Sequence, residues 1–459
     1  MRRKLMTAGF VAFAAFLESI EAQPRQAPPP AGPPKAFQVP RRETYMLKNG
    51  LRVSLIPYGT LPLVMVRAVV GGGTGNEGAT QTGLTEFVAS MMREGTATKS
   101  GAELAAAAAR IGGQLTIQPA YDETSAGLQV LPEFAPDAVK LIADVSRHPS
   151  FPESELERVR GNLLRARSVA LSSAGPPASA AFAKQVYGDH GYGRLRPSEA
   201  QLKSLTLDDI RKFYDDNFGA RRTHLYVAGH FDSSDVKKAI TAAFDGWAEG
   251  TPLKRIGPKL TPQKSLTLID RPGSAQSALR IGLPVAISPG DPDYAAMEMM
   301  DALLGRGFNA RITNNIREEK GYTYEPFSYL DIRYHSAVWL EFADVSTADT
   351  ANAIKEILFE IERLRKEPPS AEELRQTQSL LNYVHVFRTL QHDYLVQRFV
   401  ELDLRGLDDN SLRTSVMRVN AVTAADIRRM AQRHLDTGKI TIVVVGDMAK
   451  IEESLKPYR

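Results

Sequence analysis

Hydrophobic residues near the start of the chain recur with a helical period. In residues 83–92 they stand at i, i+3, i+4, i+7 and i+8 and are Leu84, Phe87, Val88, Met91 and Met92. This spacing predicts an amphipathic helix whose apolar stripe packs on a core. We expect Glu86, Ala89 and Ser90 to lie on or beside the opposite edge of that helix.

A longer pattern repeats after 217 residues. Residues 205–211 lead into the apolar run 225–229, and residues 422–428 lead into the apolar run 442–446 in the same way. Each unit has a Thr at the helix start, a short helix and a β-rich run that ends at Gly, which is typical of α+β architecture. The same offset pairs Pro152 with Pro369. We therefore predict an α+β fold with two homologous domains in tandem.

The length of 459 residues is too great for one hydrophobic core and suits two or more domains. We place the first domain at 42–248 and the second at 266–459, with a linker at 249–265 that is rich in Gly, Pro and charge.

The first residues have the pattern of an export signal. A basic start and a short apolar core in residues 1–22 predict a cleaved signal peptide, and the Pro-rich residues 23–41 predict an extended tether. A membrane-anchoring segment is the weaker alternative because the apolar run is too short to span a bilayer. We expect an exported protein, in the periplasm.

Composition excludes several classes of function. The chain is 43% hydrophobic and 24% charged, and its net charge of +4 is scattered, so nothing favours nucleic acid as a partner. No later apolar run is long enough to predict a membrane span. There is no Cys, and the eight His include no pair at i, i+3 or i, i+4. His385 and His392 could share a helix face two turns apart, but one helix cannot close both on a single ion.

Residues 83–92 resemble the opening helix of pitrilysin-type, inverted-zincin metallopeptidases, which reads Gly-Leu-x-His-Phe-x-Glu-His-Met. On that pattern, Glu86 stands at the first His, Ala89 at the Glu and Ser90 at the second His, while Ala166 stands at the third zinc ligand. Alanine is no general base, and serine is a poor zinc ligand. The resemblance therefore implies a degenerate zinc site, and we expect this chain to bind no zinc. The ordinary interpretation of Glu86 is a solvated carboxylate.

Residues 305–312 and 316–324 resemble the signature of the second half in the same family. There a helix ends in Arg-Glu-x-x-Gly, and a strand begins with a Tyr seven residues after the Arg. Arg317 and Tyr324 occupy these positions, and the resemblance implies that they bind a substrate carbonyl and its developing oxyanion. Alternatively, Arg317 pairs with a neighbouring glutamate and Tyr324 is a half-buried strand residue. Gly305 and Gly307 predict either a loop open to substrate or a simple turn.

Residues 111–124 resemble the family's Gly-Gly-x-x-Asn-Ala-x-Thr edge strand, on which peptide lies as an added strand. Thr116 replaces the Asn and Pro119 replaces the Thr. Proline lacks a backbone donor, so Pro119 fits an edge strand but weakens it as a template. Protection of an exposed edge explains Pro119 equally well.

The resemblance implies a non-catalytic subunit of a heteromeric zinc metallopeptidase, with a clamshell-like chamber that admits short or unfolded peptides. A homologous partner subunit carrying His-x-x-Glu-His would hold zinc, and this chain would lend Arg317 and Tyr324. A catalytically inert structural or peptide-binding protein derived from a peptidase is the alternative. An active peptidase with an unfamiliar site is disfavoured because Glu86 would act without a companion.

Overall fold

The computed structural model describes residues 38–459, which belong to one compact unit built on two β-sheets. The predicted signal peptide at 1–22 and most of the predicted tether lie outside the described residues. The first sheet contains β1 (Glu43–Met46), β2 (Arg52–Pro57), β3 (Val64–Val70), β4 (Thr116–Pro119), β5 (Thr124–Val130) and β6 (Thr223–Gly229). The second contains β7 (Ser265–Asp270), β8 (Gln276–Pro284), β9 (Phe327–Arg333), β10 (Ser336–Ser346) and β11 (Thr441–Gly446).

The two sheets share one topology. The first has the order β1-β2-β6-β3-β5-β4, and the second has the order β7-β11-β8-β10-β9. Removing β1 makes the two orders equivalent strand by strand, with the parallel pair β2 and β6 matching the parallel pair β7 and β11. The predicted α+β fold with two homologous domains in tandem is confirmed.

Helices cover both sheets. Those of the first half are α1 (Leu84–Met92), α2 (Gly101–Arg110), α3 (Ala135–Arg147), α4 (Glu153–Leu171), α5 (Gly175–Tyr187), α6 (Glu199–Ser204), α7 (Leu207–Asn217) and α8 (Ser233–Phe244). Those of the second half are α9 (Tyr294–Asp301), α10 (Arg311–Thr313), α11 (Thr350–Lys366), α12 (Ala371–Thr389), α13 (His392–Arg405), α14 (Asn410–Arg413), α15 (Ser415–Ala421), α16 (Ala424–His434) and α17 (Met448–Leu455). The π-helical segments Ala302–Arg306 and Asn314–Glu319 continue α9 and α10. No helix between residues 38 and 459 is long and apolar enough to cross a membrane.

The repeat seen in the sequence corresponds to equivalent capped helices. Thr206 is the residue that caps the start of α7. Its hydroxyl accepts a hydrogen bond from the Asp209 amide, and the Asp209 carboxylate accepts one from the Thr206 amide. Thr423 and Asp426 form the same capping box at the start of α16. Such caps satisfy amides that the first helical turn leaves without partners.

The two halves are joined by a reciprocal exchange of helices. Helix α5 of the first half packs on the second sheet, where Phe182 and Tyr187 meet Leu340 and Val443. Its equivalent in the repeat, α13, packs on the first sheet through a cluster made of Leu395, Val396, Phe399, Val400, Ile56, Met65, Val69 and Ala228. Each sheet is therefore covered on one face by its own helices and on the other by a helix of the opposite half.

A buried polar network fixes the second of these contacts. The hydroxyl of Tyr226 on β6 donates to Asp403 on α13 at 2.6 Å, and Arg42 pairs with the same carboxylate at 2.7 Å. Burial lowers the pKa of the neighbouring His224 to about 3, so its ring is neutral. The network ties the N-terminal strand region, the first sheet and α13 together.

Candidate functional site

Helix α1 carries three of the four positions that correspond to the degenerate zinc site. Seven of its nine residues are buried. Glu86 is exposed and Ser90 is half-buried, as expected for the polar side. Ala89 is fully buried, which corrects its predicted place on the opposite edge. The reason is that α1 packs against α4, α7 and β4, so its apolar surface extends beyond the stripe that the sequence spacing predicts.

The fourth position, Ala166, lies exposed on α4. Together the four positions supply one carboxylate, one hydroxyl and two methyl groups, and the hydroxyl of Ser90 accepts a hydrogen bond from Arg93 at 3.4 Å. Zinc requires three or four His, Cys or carboxylate ligands, so this donor set does not fit a zinc ion. Across residues 38–459, no three His, Asp or Glu side chains form a group that could hold a metal ion. His385 and His392 lie on separate helices, α12 and α13, and do not share the helix face considered above.

The strand predicted to lie at a sheet edge does so. Strand β4 is the last of the first sheet and, among the described strands, pairs only with β5. Pro119 ends it opposite Thr124, and the Thr116 hydroxyl donates to the Gly127 carbonyl at 3.0 Å. Both explanations of Pro119, a weakened template and a protected edge, agree with this position.

Arg317 and Tyr324 come together on the surface of the second half. The guanidinium carbon of Arg317 lies 5.9 Å from the centroid of the Tyr324 ring and 4.1 Å from that of Phe308. Its Nε pairs with Glu318 at 2.9 Å, which is the neighbour contact considered as the alternative. In the described part of the chain no other carboxylate pairs with Arg317, so its terminal nitrogens have no ion-pair partner there.

Tyr324 does not begin a strand as predicted. Strand β9 starts at Phe327, because Pro326 lacks the amide that a ladder needs. Thr323 is held by its hydroxyl, which donates to the Asp344 carbonyl at 2.8 Å. The next residue is Tyr324, whose side chain points into solvent and is 85% exposed rather than half-buried.

Phe308 completes the cluster and was not predicted from the sequence. It is 68% exposed, which is unusual for a phenylalanine, and it covers one face of the Arg317 guanidinium. The available signal was an isolated aromatic residue in the glycine-rich segment 305–309. We call Phe308, Arg317 and Tyr324 the aromatic–arginine cluster.

Gly305 serves neither as an open loop nor as a turn. It lies in the π-helical segment Ala302–Arg306, where a Cβ would stand 2.5 Å from Glu341 Oε2 and 2.7 Å from Ser328 Oγ. Glu341 is fully buried beside Asp301, whose Oδ1 accepts bonds from Ser328 at 2.7 Å and Trp339 at 3.0 Å. Burial raises the pKa of Asp301 to about 6 and that of Glu341 well above its ordinary value. Gly305 allows the helix to approach these two acids behind the cluster.

Comparison with known proteins identifies the family. Residues 58–190 match the model described as insulinase (peptidase family M16), and residues 204–381 match the model described as peptidase M16 inactive domain. Together the two matches span more than half of the chain.

Two curated relatives carry the name uncharacterized zinc protease. The chain is 23% identical to one from Streptomyces coelicolor over 85% of this chain and 86% of that protein. It is 28% identical to one from Mycobacterium tuberculosis over 72% of this chain and 77% of that protein.

Two solved structures share the fold. One is a peptidase M16 inactive domain from Pseudomonas fluorescens, with a TM-score of 0.80, 22% identity, and coverage of 88% of this chain and 98% of that one. The other is a protease from Helicobacter pylori, with a TM-score of 0.82, 18% identity, and coverage of 89% and 100%. The chain belongs to peptidase family M16, with two M16 domains in tandem, and is a peptidase-derived protein.

Proposed function

We propose that this chain is an exported, non-catalytic subunit of a two-chain M16 metallopeptidase, and that it lends Arg317 and Tyr324 to a partner's active site. The observation that carries the proposal is an asymmetry between two surfaces. The helix α1 positions offer a single carboxylate, whereas the aromatic–arginine cluster keeps a half-buried guanidinium beside an exposed phenol.

The cluster is suited to stabilise negative charge on a substrate oxygen. Glu318 engages Nε of Arg317 and leaves the terminal nitrogens as donors, while the phenol of Tyr324 lies in solvent. Two such donors converging on a peptide carbonyl stabilise the charge that develops on it during attack. This chain would bind and polarise the carbonyl, and the attack itself would take place in the partner.

The partner we propose is a homologous subunit that carries His-x-x-Glu-His and holds zinc. Exposure of the cluster supports this arrangement, because large aromatic side chains left in solvent commonly mark a surface that another molecule covers. The substrates would be short or unfolded peptides, since folded proteins do not enter a closed chamber.

A catalytically inert peptide-binding or structural protein is the second candidate. The ion pair between Arg317 and Glu318 favours it, because a surface arginine paired with its neighbour has an ordinary structural explanation. The two candidates differ in whether peptide cleavage requires this chain.

Reconstitution tests the proposal. This chain, a candidate His-x-x-Glu-His partner and the equimolar mixture are each assayed for bound zinc and for cleavage of a quenched peptide. We expect zinc only in the partner and cleavage only in the mixture. If the partner alone cleaves the peptide as fast as the mixture does, this chain is not needed for catalysis and the inert alternative is favoured. Zinc-dependent cleavage by this chain alone would overturn the proposal.

A further inference from the structure

A groove of about 600 Å³ lies along strand β9 in the second half. Its walls are β9, with Phe327 and Leu330, and helix α13, with Tyr394 and Arg398. Arg306 and Arg388 line it as well. The volume is in the range of sites that hold small ligands or a few residues of peptide.

The wall formed by β9 is the outer edge of the second sheet, because no described strand pairs with β9 on the side away from β10. Ala337 on β10 faces β8, because its carbonyl accepts the amide of Val285 at 2.9 Å. Its β9 partner Ile332 therefore faces away from β10, and the Ile332 carbonyl accepts a bond from Arg405 at 3.2 Å. Main-chain groups alternate sides along a strand, so the amide and carbonyl of Leu330 face the groove too. An extended peptide can pair with them.

The charges of the groove favour an acidic ligand. Two of its carboxylates are neutralised, Asp331 by Arg333 at 2.6 Å and Glu401 by Arg398 at 2.7 Å. Among the described residues, Arg306 and Arg388 have no carboxylate partner, and Arg405 donates to the carbonyls of Glu401 and Ile332. Glu298 is the remaining acid, and burial raises its pKa, which disfavours its charged form. The groove therefore offers two arginines, Arg306 and Arg388, that no carboxylate neutralises.

Two residues that line the groove are close in sequence to the aromatic–arginine cluster. Phe327 follows Tyr324 by three residues, and Arg306 precedes Phe308 by two. This closeness in sequence is consistent with one peptide that reaches both the cluster and β9.

We propose that this groove binds an extended peptide segment with acidic side chains as a strand added to β9. Backbone pairing with Leu330 would hold the segment, and Arg306 and Arg388 would select carboxylates. The inference rests on the proposed role of this chain in handling peptide substrates, and it assigns the acidic preference to this subunit.

Binding to the full chain alone tests the charge preference. The probe is a short fluorescein-labelled peptide of alternating glutamate and valine with blocked ends, compared by anisotropy with the same peptide carrying glutamine. We expect the glutamate peptide to bind about tenfold more tightly, and Arg306→Gln or Arg388→Gln to remove about tenfold of its affinity. Arg110→Gln, an exposed arginine of the first half, is the matched control and should bind as wild type does. Equal affinity for both peptides, or equal loss in the control, would overturn the preference.

N-methylation of the probe tests strand addition without altering the protein. In an added strand only every second backbone amide of the peptide faces β9. Methylation of the amides that face β9 should therefore abolish binding, and methylation of the intervening amides should leave it unchanged. Equal effects at all positions would overturn strand pairing. Neither measurement involves cleavage, so binding can fail while Arg317 still assists a partner, and it can succeed while the proposed catalytic role fails.

Discussion

Arg317 stacks on Phe308, with its guanidinium carbon 4.1 Å from the centre of the ring. The Phe308 ring contacts the Arg317 guanidinium, and the Glu318 carboxylate pairs with Nε of the same group. Phe308 therefore positions the group that we propose to act on a substrate carbonyl.

Replacing Phe308 should weaken catalysis without unfolding the chain. An exposed cation–π contact contributes about 0.5–1 kcal/mol, so Phe308→Ala should lower kcat/KM of the two-chain enzyme by about two- to fivefold. Phe308→Tyr should keep most of the activity because the ring remains. Phe359→Ala, which removes another exposed phenylalanine on α11, is the control. Equal kcat/KM in Phe308→Ala and wild type would show that Phe308 does not position Arg317 for catalysis.

Gly305 should not tolerate a side chain. Its Cβ would overlap Glu341 Oε2 and Ser328 Oγ, so Gly305→Ala should lower the free energy of unfolding by about 1–3 kcal/mol in urea titration. Gly161→Ala is the matched comparison, because that helical glycine of α4 has only the Arg165 guanidinium nearby, at 3.6 Å. It should gain about 0.5–1 kcal/mol. A similar small gain at both positions would mean that the approach to Glu341 is looser than the structure shows.

The buried acid Asp301 should make stability depend on pH. Its pKa is raised to about 6 in the folded chain from an ordinary value of 3.8, so between these values the folded state holds a proton that the unfolded state has released. This contribution to the free energy of unfolding therefore increases as pH falls from about 6 to 4 and is lowest above 6.

The variant Asp301→Asn isolates that contribution. Its amide can donate towards Glu341 and its oxygen can still accept from Ser328 and Trp339. We expect it to be more stable than wild type by about 1–3 kcal/mol near pH 8 and equal to it near pH 4. A stability difference that does not change with pH would show that Asp301 is not the titrating group.

The contact between Tyr226 and Asp403 should stabilise the joined halves. Tyr226→Phe removes a buried donor to a carboxylate and should cost about 1.5–3 kcal/mol in the free energy of unfolding. Tyr383→Phe removes an exposed hydroxyl on α12 and should cost nothing measurable. If both variants unfold at the same urea concentration as wild type, Arg42 alone is sufficient to satisfy Asp403.

Family resemblance marked the edge strand that ends at Pro119, whereas local sequence patterns predicted the repeat and the capped helices at Thr206 and Thr423. These features depend on residues close in sequence, so spacing reveals them. The exchange of α5 and α13 was not predictable, because it depends on which sheet face each helix covers. Ala89 was misplaced for the same reason: three neighbouring elements bury the side of α1 that spacing alone marks as polar.

The candidate site was also predicted only in part from the sequence. Family resemblance marked Arg317 and Tyr324, but the strand start moved to Phe327 because Pro326 lacks an amide. Phe308 was missed because an exposed ring becomes significant only when a guanidinium nine residues later lies on it.

The most direct test compares catalysis by the reconstituted two-chain enzyme with wild-type chain, Arg317→Ala and Tyr324→Phe. Arg375→Ala and Tyr383→Phe, both exposed on α12, are the controls. Removing one donor to a developing oxyanion typically costs about a hundredfold or more in kcat, so we predict a loss of that order in each cluster variant and no loss in the controls. Unchanged kcat in both cluster variants, with the complex intact, would contradict the claim that this chain assists its partner's chemistry.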